Sequence, residues 1–291
     1  MEQRKLHANG PLCSRIICGA WRWHTISHEQ LDRLVQTALD AGIRSFDHAD
    51  VYGDHSNEEL FGQVLRRNPG LRKGMQLITK CGVKFPSTRR PSTRVKHYDT
   101  SSKHIIWSVE NSLKMLNTDV LDLLLIHRPD PLMDPHEVAE ALSSLRSDGK
   151  LLHAGVSNFT ISQFRMLQSY LSFPLVTNQI EISLSRLDPF FNGDLDFLME
   201  QRVSPMAWSP LGGGKTISAD EREVFQMASK YNGTYSQLSL AWIMKHPSTI
   251  FPVIGTTKPE RIIEAAGSFD IQIDRQDWFG ILKWVTGKDV A

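Results

Sequence analysis

The chain has 291 residues, of which 41% are hydrophobic and 22% are charged, and its formal net charge is +1. This length suits one large α/β barrel or two average domains, and the nearly neutral charge gives no field that would favour nucleic acid or an acidic membrane surface. Residues 1–10 are polar and lack the apolar segment of a secretion signal, and no stretch approaches the ~18 apolar residues of a membrane helix. We therefore expect a cytoplasmic protein.

The chain contains three cysteines, Cys13, Cys18 and Cys81, and none of them forms a CxxC pair. An odd number of cysteines argues against a disulfide framework, and two of the three lie within apolar runs. We expect buried thiols that pack as small hydrophobic side chains.

Short apolar runs bounded by turn residues recur along the chain and predict buried strands. They cover residues 15–20, 45–50, 75–81, 121–127, 153–158, 176–181, 204–210 and 250–255. Amphipathic patterns between them predict helices, among them residues 29–41, 102–116 and 136–145. Residues 275–285 predict an additional C-terminal helix.

Eight strands that alternate with helices favour a single (β/α)8 TIM barrel over residues 1–291, with a doubly wound open sheet as the alternative. Two of the connections are long. One is a basic loop, residues 82–100, and the other follows Pro210 and begins with three glycines, residues 212–214. Both follow a strand, and this places them on the carboxyl-terminal face, where barrel active sites form.

Polar side chains gather at the ends of the predicted strands. The four of greatest interest, in chain order, are Asp47, Tyr52, Lys80 and His127. The carboxyl ends of barrel strands converge on one face, so these side chains are expected to meet around one pocket. Each alone could be a packing residue or part of a structural ion pair, but their joint occurrence at successive strand ends favours a functional site.

These four side chains suit general-acid chemistry on a carbonyl group. A phenol has an ordinary pKa of about 10, and a nearby ammonium stabilises the phenolate and lowers that pKa. Tyr52 would then donate a proton, Lys80 would lower its pKa, and Asp47 would keep the ammonium charged. A neutral His127 would hydrogen-bond the substrate oxygen and fix its angle. Such a site requires a hydride source.

Six segments resemble, in the correct order, the motifs of the aldo-keto reductase family. They are residues 42–53 (GIRSFDHADVYG), 78–80 (ITK), 118–127 (TDVLDLLLIH), 155–159 (GVSNF), 178–181 (NQIE) and 208–211 (WSPL). The resemblance covers nearly the whole chain, and bacterial oxidoreductases of this family are the most similar in pattern. It implies a (β/α)8 enzyme that reduces an aldehyde or ketone with NADPH. It further implies a monomer that acts on a small molecule and binds neither nucleic acid nor a membrane.

The resemblance also implies roles for individual residues. Tyr52 would be the general acid of a catalytic tetrad with Asp47, Lys80 and His127. The residues expected to hold the nicotinamide ring and its carboxamide are Trp21, Ser157, Asn158, Gln179 and Trp208. The residues expected to line the pyrophosphate are Ser209, Leu211 and Gly214. Trp21 would either contact the cofactor or cap the substrate pocket.

The segment after the last predicted strand would set the cofactor preference, because family members bind the adenosine 2′-phosphate there. The residues implied are Gly255, Thr256, Thr257, Lys258, Arg261 and Glu264, the last facing the adenine amino group. Hydroxyls, a helix N-terminus and two cations suit a phosphate, so NADPH is expected rather than NADH. The chain departs from the family pattern at Ala265, usually Asn, and at His48, usually Thr or Ser. The roles of His48 and Arg22 stay open.

Three other functions fit the sequence less well. Residues 213–216 (GGKT) resemble part of a phosphate-binding P-loop, but Ser209 stands where that signature requires its first glycine. Asp47, His127 and His153 lack metal-ligand spacing, so no metal is expected. The remaining alternative is a low-turnover, redox-sensing or scaffold member of the same family, against which the intact tetrad argues.

Overall fold

The structure is a computed structural model that describes residues 1–214 and 221–291. Its strands are β1 (Gln3–Lys5), β2 (Leu12–Ser14), β3 (Ile17–Gly19), β4 (Ser45–Asp47), β5 (Gln76–Cys81), β6 (Val83–Lys84), β7 (His97–Tyr98), β8 (Leu121–Ile126), β9 (Leu151–Ser157), β10 (Leu175–Glu181), β11 (Met206–Trp208) and β12 (Phe251–Ile254). Its helices are α1 (His28–Asp40), α2 (Tyr52–His55), α3 (Asn57–Arg67), α4 (Ser102–Leu116), α5 (Pro135–Ser147), α6 (Ile161–Ser169), α7 (Asp194–Glu200), α8 (Glu221–Lys230), α9 (Tyr235–Met244), α10 (Pro259–Ala266) and α11 (Arg275–Thr286).

Eight parallel strands close into a barrel in the order β3, β4, β5, β8, β9, β10, β11, β12. The closing contact pairs β12 with β3, in the register Val253 to Ile17 and Ile254 to Cys18. The predicted (β/α)8 barrel is therefore confirmed, and the open-sheet alternative is wrong. The predicted C-terminal helix is α11.

Local sequence signals explain where several helices begin and end. Ser27 caps α1 in a capping box with Gln30, and Ser101 accepts a hydrogen bond from the third residue of α4. These hydroxyls satisfy backbone N–H groups that have no partner inside the first helical turn. Asn117, which directly follows α4, lies in the left-handed region with φ of 53°, a conformation that asparagine tolerates better than most residues.

The barrel interior follows from the two-residue alternation of the strands. Its apolar side chains form one buried cluster, with Leu6, Cys13, Ile17, Ile78, Leu123, Leu125, Val176, Met206, Phe251 and Val253. Intervening residues such as Leu77 and Leu124 belong instead to the larger cluster that packs with the surrounding helices. The interior cluster fills the barrel below the site, so polar side chains can gather at its carboxyl end.

Two hairpins were not predicted from the sequence. The first pairs β1 with β2 ahead of the barrel, and fully buried Leu6, from the turn that joins them, adds to the interior core. The second pairs β6 with β7 inside the basic loop, residues 82–100. These strands are two or three residues long and, unlike the equally short barrel strands, do not lie within a longer apolar run, which is why the sequence does not reveal them.

All three cysteines lie in the described residues, where they are buried and free. This confirms the predicted packing role. Within residues 1–214 and 221–291, no helix is long and apolar enough to cross a membrane.

Candidate active site

Strand alternation places Lys80 and Asp47 at the mouth of the barrel interior. Ile78 belongs to the interior cluster, so Lys80, two residues later on β5, points inward as well. On β4, Phe46 packs with the outer cluster, and Asp47 therefore points inward. The same reasoning applies to His127, which follows the interior residue Leu125 by two positions.

The four predicted catalytic side chains meet as expected. The Lys80 Nζ donates hydrogen bonds to Asp47 Oδ2 at 2.6 Å and to the Tyr52 hydroxyl at 3.2 Å. A third bond, of 2.8 Å, runs from Nζ to the backbone oxygen of His48. The rings of Tyr52 and His127 lie edge to face, with their centroids 5.9 Å apart. The ammonium therefore holds the phenol and the carboxylate in one connected group.

The charge state of this group differs in one respect from the sequence expectation. Desolvation raises the pKa of Tyr52, although the Lys80 ammonium opposes that rise. The expected net lowering is therefore wrong, because the sequence reveals the cation but not the loss of water around the phenol. Burial disfavours the Lys80 ammonium, but the interactions of that ammonium with Asp47 and Tyr52 outweigh the effect of burial. The pKa of Lys80 is therefore raised. At neutral pH the site combines a neutral phenol with a charged lysine.

His127 is neutral, as the sequence argument requires. Burial lowers its pKa well below the usual value, and the nearby cations Lys80, Arg128 and Lys96 act in the same direction. Its Nδ1 is buried without a hydrogen-bond partner among the described residues. A neutral imidazole can donate from one ring nitrogen to a carbonyl oxygen.

A strained turn directly after Tyr52 fixes the position of the phenol. The three following residues, Gly53, Asp54 and His55, all have left-handed backbone angles, with φ of 60°, 54° and 64°. Such a run is costly for residues other than glycine and persists only where the surroundings enforce it. A 2.7 Å hydrogen bond between His55 Nδ1 and the backbone oxygen of Asp50 closes the turn. The sequence motif located Tyr52 but gave no sign of this turn.

The residues predicted to hold the carboxamide form a hydrogen-bonded chain that reaches the tetrad. Trp208 Nε1 donates to Asn158 Oδ1 at 2.9 Å, and Asn158 Nδ2 donates to Ser157 Oγ at 2.7 Å. Ser157 Oγ in turn donates to the backbone oxygen of Gln179 at 2.9 Å. The Gln179 side chain completes the chain by donating to Asp47 Oδ1 at 2.9 Å. These four side chains are therefore adjacent to one another and to the group formed by Asp47, Lys80 and Tyr52.

An irregularity in β10 brings Gln179 to the inner face. Between Leu175 and Asn178 the strand advances three residues while β9 advances two. Without this bulge, alternation from the interior residue Val176 would place Asn178 inward. Instead the Asn178 amide exchanges hydrogen bonds with the backbone of Phe159, and Gln179 reaches Asp47.

Trp21 and its neighbours define the rim next to Tyr52. Trp21 is 57% exposed, and its ring stacks on that of Tyr52 with centroids 6.2 Å apart. Arg22 does not point to an open pocket, because its Nη1 donates to the backbone oxygen of Gly255 at 2.9 Å. His48 is buried against Trp23 and Phe61, and burial lowers its pKa to about 3. His48 is therefore a neutral packing residue.

The predicted pyrophosphate residues lie on the loop after β11. Ser209 has a left-handed φ of 48°, and residues 212–214 are all left-handed glycines. Leu211 and Gly212 line a narrow cleft together with Ser185 and Ser239. Lys215 and Thr216 of the P-loop-like segment lie outside the described residues.

The predicted adenosine-phosphate residues lie on the neighbouring loop, after β12. Lys258 precedes the first turn of α10, and Thr256 Oγ1 accepts a hydrogen bond from its backbone N–H. Lys258 and Arg261 are exposed, and neither forms an ion pair with any residue that the structure describes. The Glu264 carboxylate already has one partner, because its Oε1 accepts a hydrogen bond from Thr234 Oγ1 at 2.5 Å.

These positions fit an extended dinucleotide. The strands β9, β10, β11 and β12 are consecutive neighbours in the barrel, so the residues predicted to hold the carboxamide, the pyrophosphate and the 2′-phosphate follow one another around its rim. Two exposed cations at the far end, Lys258 and Arg261, suit a phosphate, and the half-buried indole of Trp208 suits a flat ring.

Two features of the site were missed from the sequence. Arg128, the residue after His127, places its guanidinium 5.6 Å from the centre of the Trp208 ring. Behind Lys80, the buried carboxyl of Glu58 accepts hydrogen bonds from Thr79 at 2.5 Å and Ser112 at 2.9 Å. The position of Arg128, directly after His127 at the end of a predicted strand, is a sequence signal that could have identified it. Glu58 lies on α3, away from any strand end, and no sequence signal marks it.

Comparison with known proteins agrees with this geometry. The model of the Aldo/keto reductase family matches residues 15–283. The chain belongs to the aldo/keto reductase family. It is 46% identical to the oxidoreductase YcsN of Bacillus subtilis, over 95% of this chain and 96% of that protein. It is also 46% identical to the 6-dehydroglucose reductase of Agrobacterium fabrum, over 96% of each chain.

The fold has a counterpart among solved structures. The crystal structure of the thermostable aldo-keto reductase Tm1743 with the inhibitor epalrestat superposes with a TM-score of 0.86, at 24% identity, over 98% of this chain and 100% of that chain. The protein is thus an oxidoreductase of the aldo/keto reductase family, built on a (β/α)8 barrel.

Proposed function

We propose that the protein reduces an aldehyde or ketone to an alcohol with NADPH, and that Tyr52 donates the proton. The observation that carries this proposal is the contact of Lys80 Nζ with both the Tyr52 hydroxyl, at 3.2 Å, and Asp47, at 2.6 Å. A phenol held beside a buried ammonium at the mouth of a barrel can release a proton to an oxygen that becomes negatively charged.

The residues around the tetrad support NADPH as the cofactor. Ser157, Asn158 and Gln179 would hold the carboxamide, and Trp208 would contact the ring. Lys258 and Arg261, which are exposed and free of ion pairs with described residues, would bind the 2′-phosphate. Bound NADPH supplies the hydride that adds to the carbonyl carbon.

Each catalytic side chain then has a distinct task. Neutral His127 hydrogen-bonds the carbonyl oxygen and orients it toward Tyr52. As negative charge develops on that oxygen, the Tyr52 hydroxyl transfers its proton. The ammonium of Lys80 stabilises the phenolate left behind, and Asp47 keeps that ammonium charged and in place.

We further propose that the substrate is a small hydrophilic carbonyl compound such as a sugar aldehyde. A relative 46% identical to this chain is named 6-dehydroglucose reductase, and a second protein of that name, from Novosphingobium aromaticivorans, is 39% identical. The exposed indole of Trp21 and the guanidinium of Arg128 would both contact such a substrate near Tyr52.

A turnover screen tests the proposal. Consumption of NADPH is followed against a panel of aldehydes, ketones, dicarbonyls and 6-dehydroglucose, with the wild type and Tyr52→Phe. We expect turnover of at least one aldehyde and a loss in kcat of about 10²- to 10⁴-fold in the variant, the usual contribution of a general acid. The Kd for NADPH, measured by tryptophan fluorescence quenching, should stay within about twofold of wild type.

Two outcomes would contradict the proposal. A Tyr52→Phe variant that keeps most of its kcat would show that another group donates the proton. Tight NADPH binding without turnover of any carbonyl in the panel would instead favour the low-turnover or redox-sensing alternative.

A further inference from the structure

A second cavity lies at the opposite end of the barrel from the tetrad. It has a volume of about 280 Å³ and lies between the N-terminal hairpin, the end of α9 and residues 268–273. Two lining residues show that the cavity lies at the amino end of the barrel. Arg15 directly precedes the first barrel strand, and Lys245 follows α9 and precedes β12. The cavity therefore shares no residue with the proposed active site.

Arg15 in the wall of this cavity has few hydrogen-bond partners for a buried guanidinium. Its side chain is 6% exposed, and it makes two long contacts, of 3.3 Å each, with Glu2 Oε2 and the backbone oxygen of Ile250. Its Nε is buried without a partner among the described residues. A guanidinium has five N–H donors, so the residues that the structure describes leave most of the donor capacity of Arg15 unused. The hydroxyl of Ser268, also in the wall, is buried and unpartnered in that part of the chain as well.

The charges that line the cavity do not balance. Three cations, Arg4, Arg15 and Lys245, face one carboxylate, that of Glu2, which leaves an excess of two positive charges. Glu2 is shared between two arginines, since its Oε1 lies 2.5 Å from Arg4 Nε and its Oε2 lies 3.3 Å from Arg15 Nη1. An excess of two positive charges is matched by a dianion, and a guanidinium matches the geometry of phosphate oxygens.

We propose that this cavity binds a phosphate group at the amino end of the barrel. Arg15 and Arg4 would contact the phosphate oxygens, and Lys245 would close the site from the solvent side. The remaining volume is bounded by Phe269, Ile271 and other apolar side chains, so the phosphate has room to carry a small organic group. The ligand is therefore inorganic phosphate or a small phosphomonoester.

The test uses enzyme saturated with NADP⁺, so that phosphate cannot occupy the adenosine-phosphate site. Inorganic phosphate, glycerol 3-phosphate and acetate are titrated at constant ionic strength, with the shift in Tm as the readout. We expect saturable stabilisation by phosphate with a millimolar Kd and none by acetate. Tighter binding of glycerol 3-phosphate would identify a phosphomonoester as the ligand, and equal binding would identify the free ion.

Charge variants then locate the site. Lys245→Glu should weaken phosphate binding at least about fivefold, because it replaces a cation with an anion at an exposed position. Glu2→Gln should strengthen binding by a similar factor, because it removes the competing carboxylate. The control is Lys103→Glu, which changes the net charge equally from an exposed position on α4 and should leave the Kd unchanged.

Crystals soaked in selenate provide a direct readout, because anomalous scattering locates the selenium. We expect a peak within hydrogen-bond distance of Arg15. The absence of such a peak at about 50 mM selenate, or equal phosphate affinity in the Lys245→Glu, Glu2→Gln and Lys103→Glu variants, would overturn the proposal.

Discussion

Lys80 Nζ lies 2.6 Å from Asp47 Oδ2, and the two side chains are only 1% and 3% exposed. The ion pair is therefore almost entirely removed from water at the point where the barrel interior meets the candidate active site. Burying two charges is costly, and the attraction between them offsets that cost only while both are present. The proposed catalytic arrangement and the stability of the barrel thus depend on the same contact.

This dependence can be measured with a double-mutant cycle. Asp47→Asn and Lys80→Met each leave one buried charge without its partner, and each should lower the free energy of unfolding by about 3–5 kcal/mol. The double variant should lose clearly less than the sum, with a coupling of at least about 1 kcal/mol in urea unfolding. Additive losses would mean that the two charges do not stabilise each other.

The sequence was sufficient for the parts of the site that rest on strand order and alternation. Lys80 and His127 end predicted strands, and the parallel barrel brings those ends together, so their meeting could be foreseen. The direction of the Tyr52 pKa shift could not be foreseen, because it depends on how much water the folded chain removes from the phenol. Gln179 reaches Asp47 through a bulge in β10, and a bulge leaves no mark on the hydrophobic pattern.

The proposed cofactor preference predicts a selective effect of two cations. Lys258→Ala and Arg261→Ala should each raise the KM for NADPH about tenfold, since each removes one charge-assisted contact to the 2′-phosphate. The KM for NADH and the kcat should stay unchanged, because NADH lacks that phosphate. Lys103→Ala, at an exposed position on α4, is the control. An equal loss for both cofactors would place the two cations elsewhere on the dinucleotide.

Gly53 provides a test of the strained turn that follows Tyr52. A Cβ added at this position would lie 2.1 Å from Asn57 Oδ1, and Asn57 Nδ2 is bound to the backbone oxygen of Ala20 at 2.7 Å. Gly53→Ala should therefore displace Tyr52 and lower kcat at least about tenfold, with the Kd for NADPH unchanged.

Gly149 supplies the matched control for that substitution. Its φ is 71°, close to the 60° of Gly53, but a Cβ there would meet no atom within 4 Å. Gly149→Ala should cost about 1 kcal/mol of stability from backbone strain alone and should leave kcat intact. If the two variants showed the same kcat, the turn would have no part in positioning the phenol.

The buried carboxyls behind Lys80 predict an unusual dependence of stability on pH. Burial raises the pKa of Glu58 to about 7 and that of Asp50 to about 8, and the Glu58 carboxyl also disfavours ionisation of Asp50. In the unfolded chain such groups ionise near pH 4. Between pH 4 and 8 the folded protein therefore holds more protons than the unfolded chain, so its stability falls as the pH rises.

Glu58→Gln isolates the contribution of Glu58, because the amide cannot ionise and can still bond to the Thr79 and Ser112 hydroxyls. Urea unfolding from pH 5 to 9 should show a decline of several kcal/mol for the wild type. The variant should lose on the order of 3 kcal/mol less over that range. Glu140→Gln, at an exposed position on α5, should retain the wild-type decline. A decline in Glu58→Gln as steep as that of Glu140→Gln would mean that Glu58 is already ionised in the folded protein at pH 5.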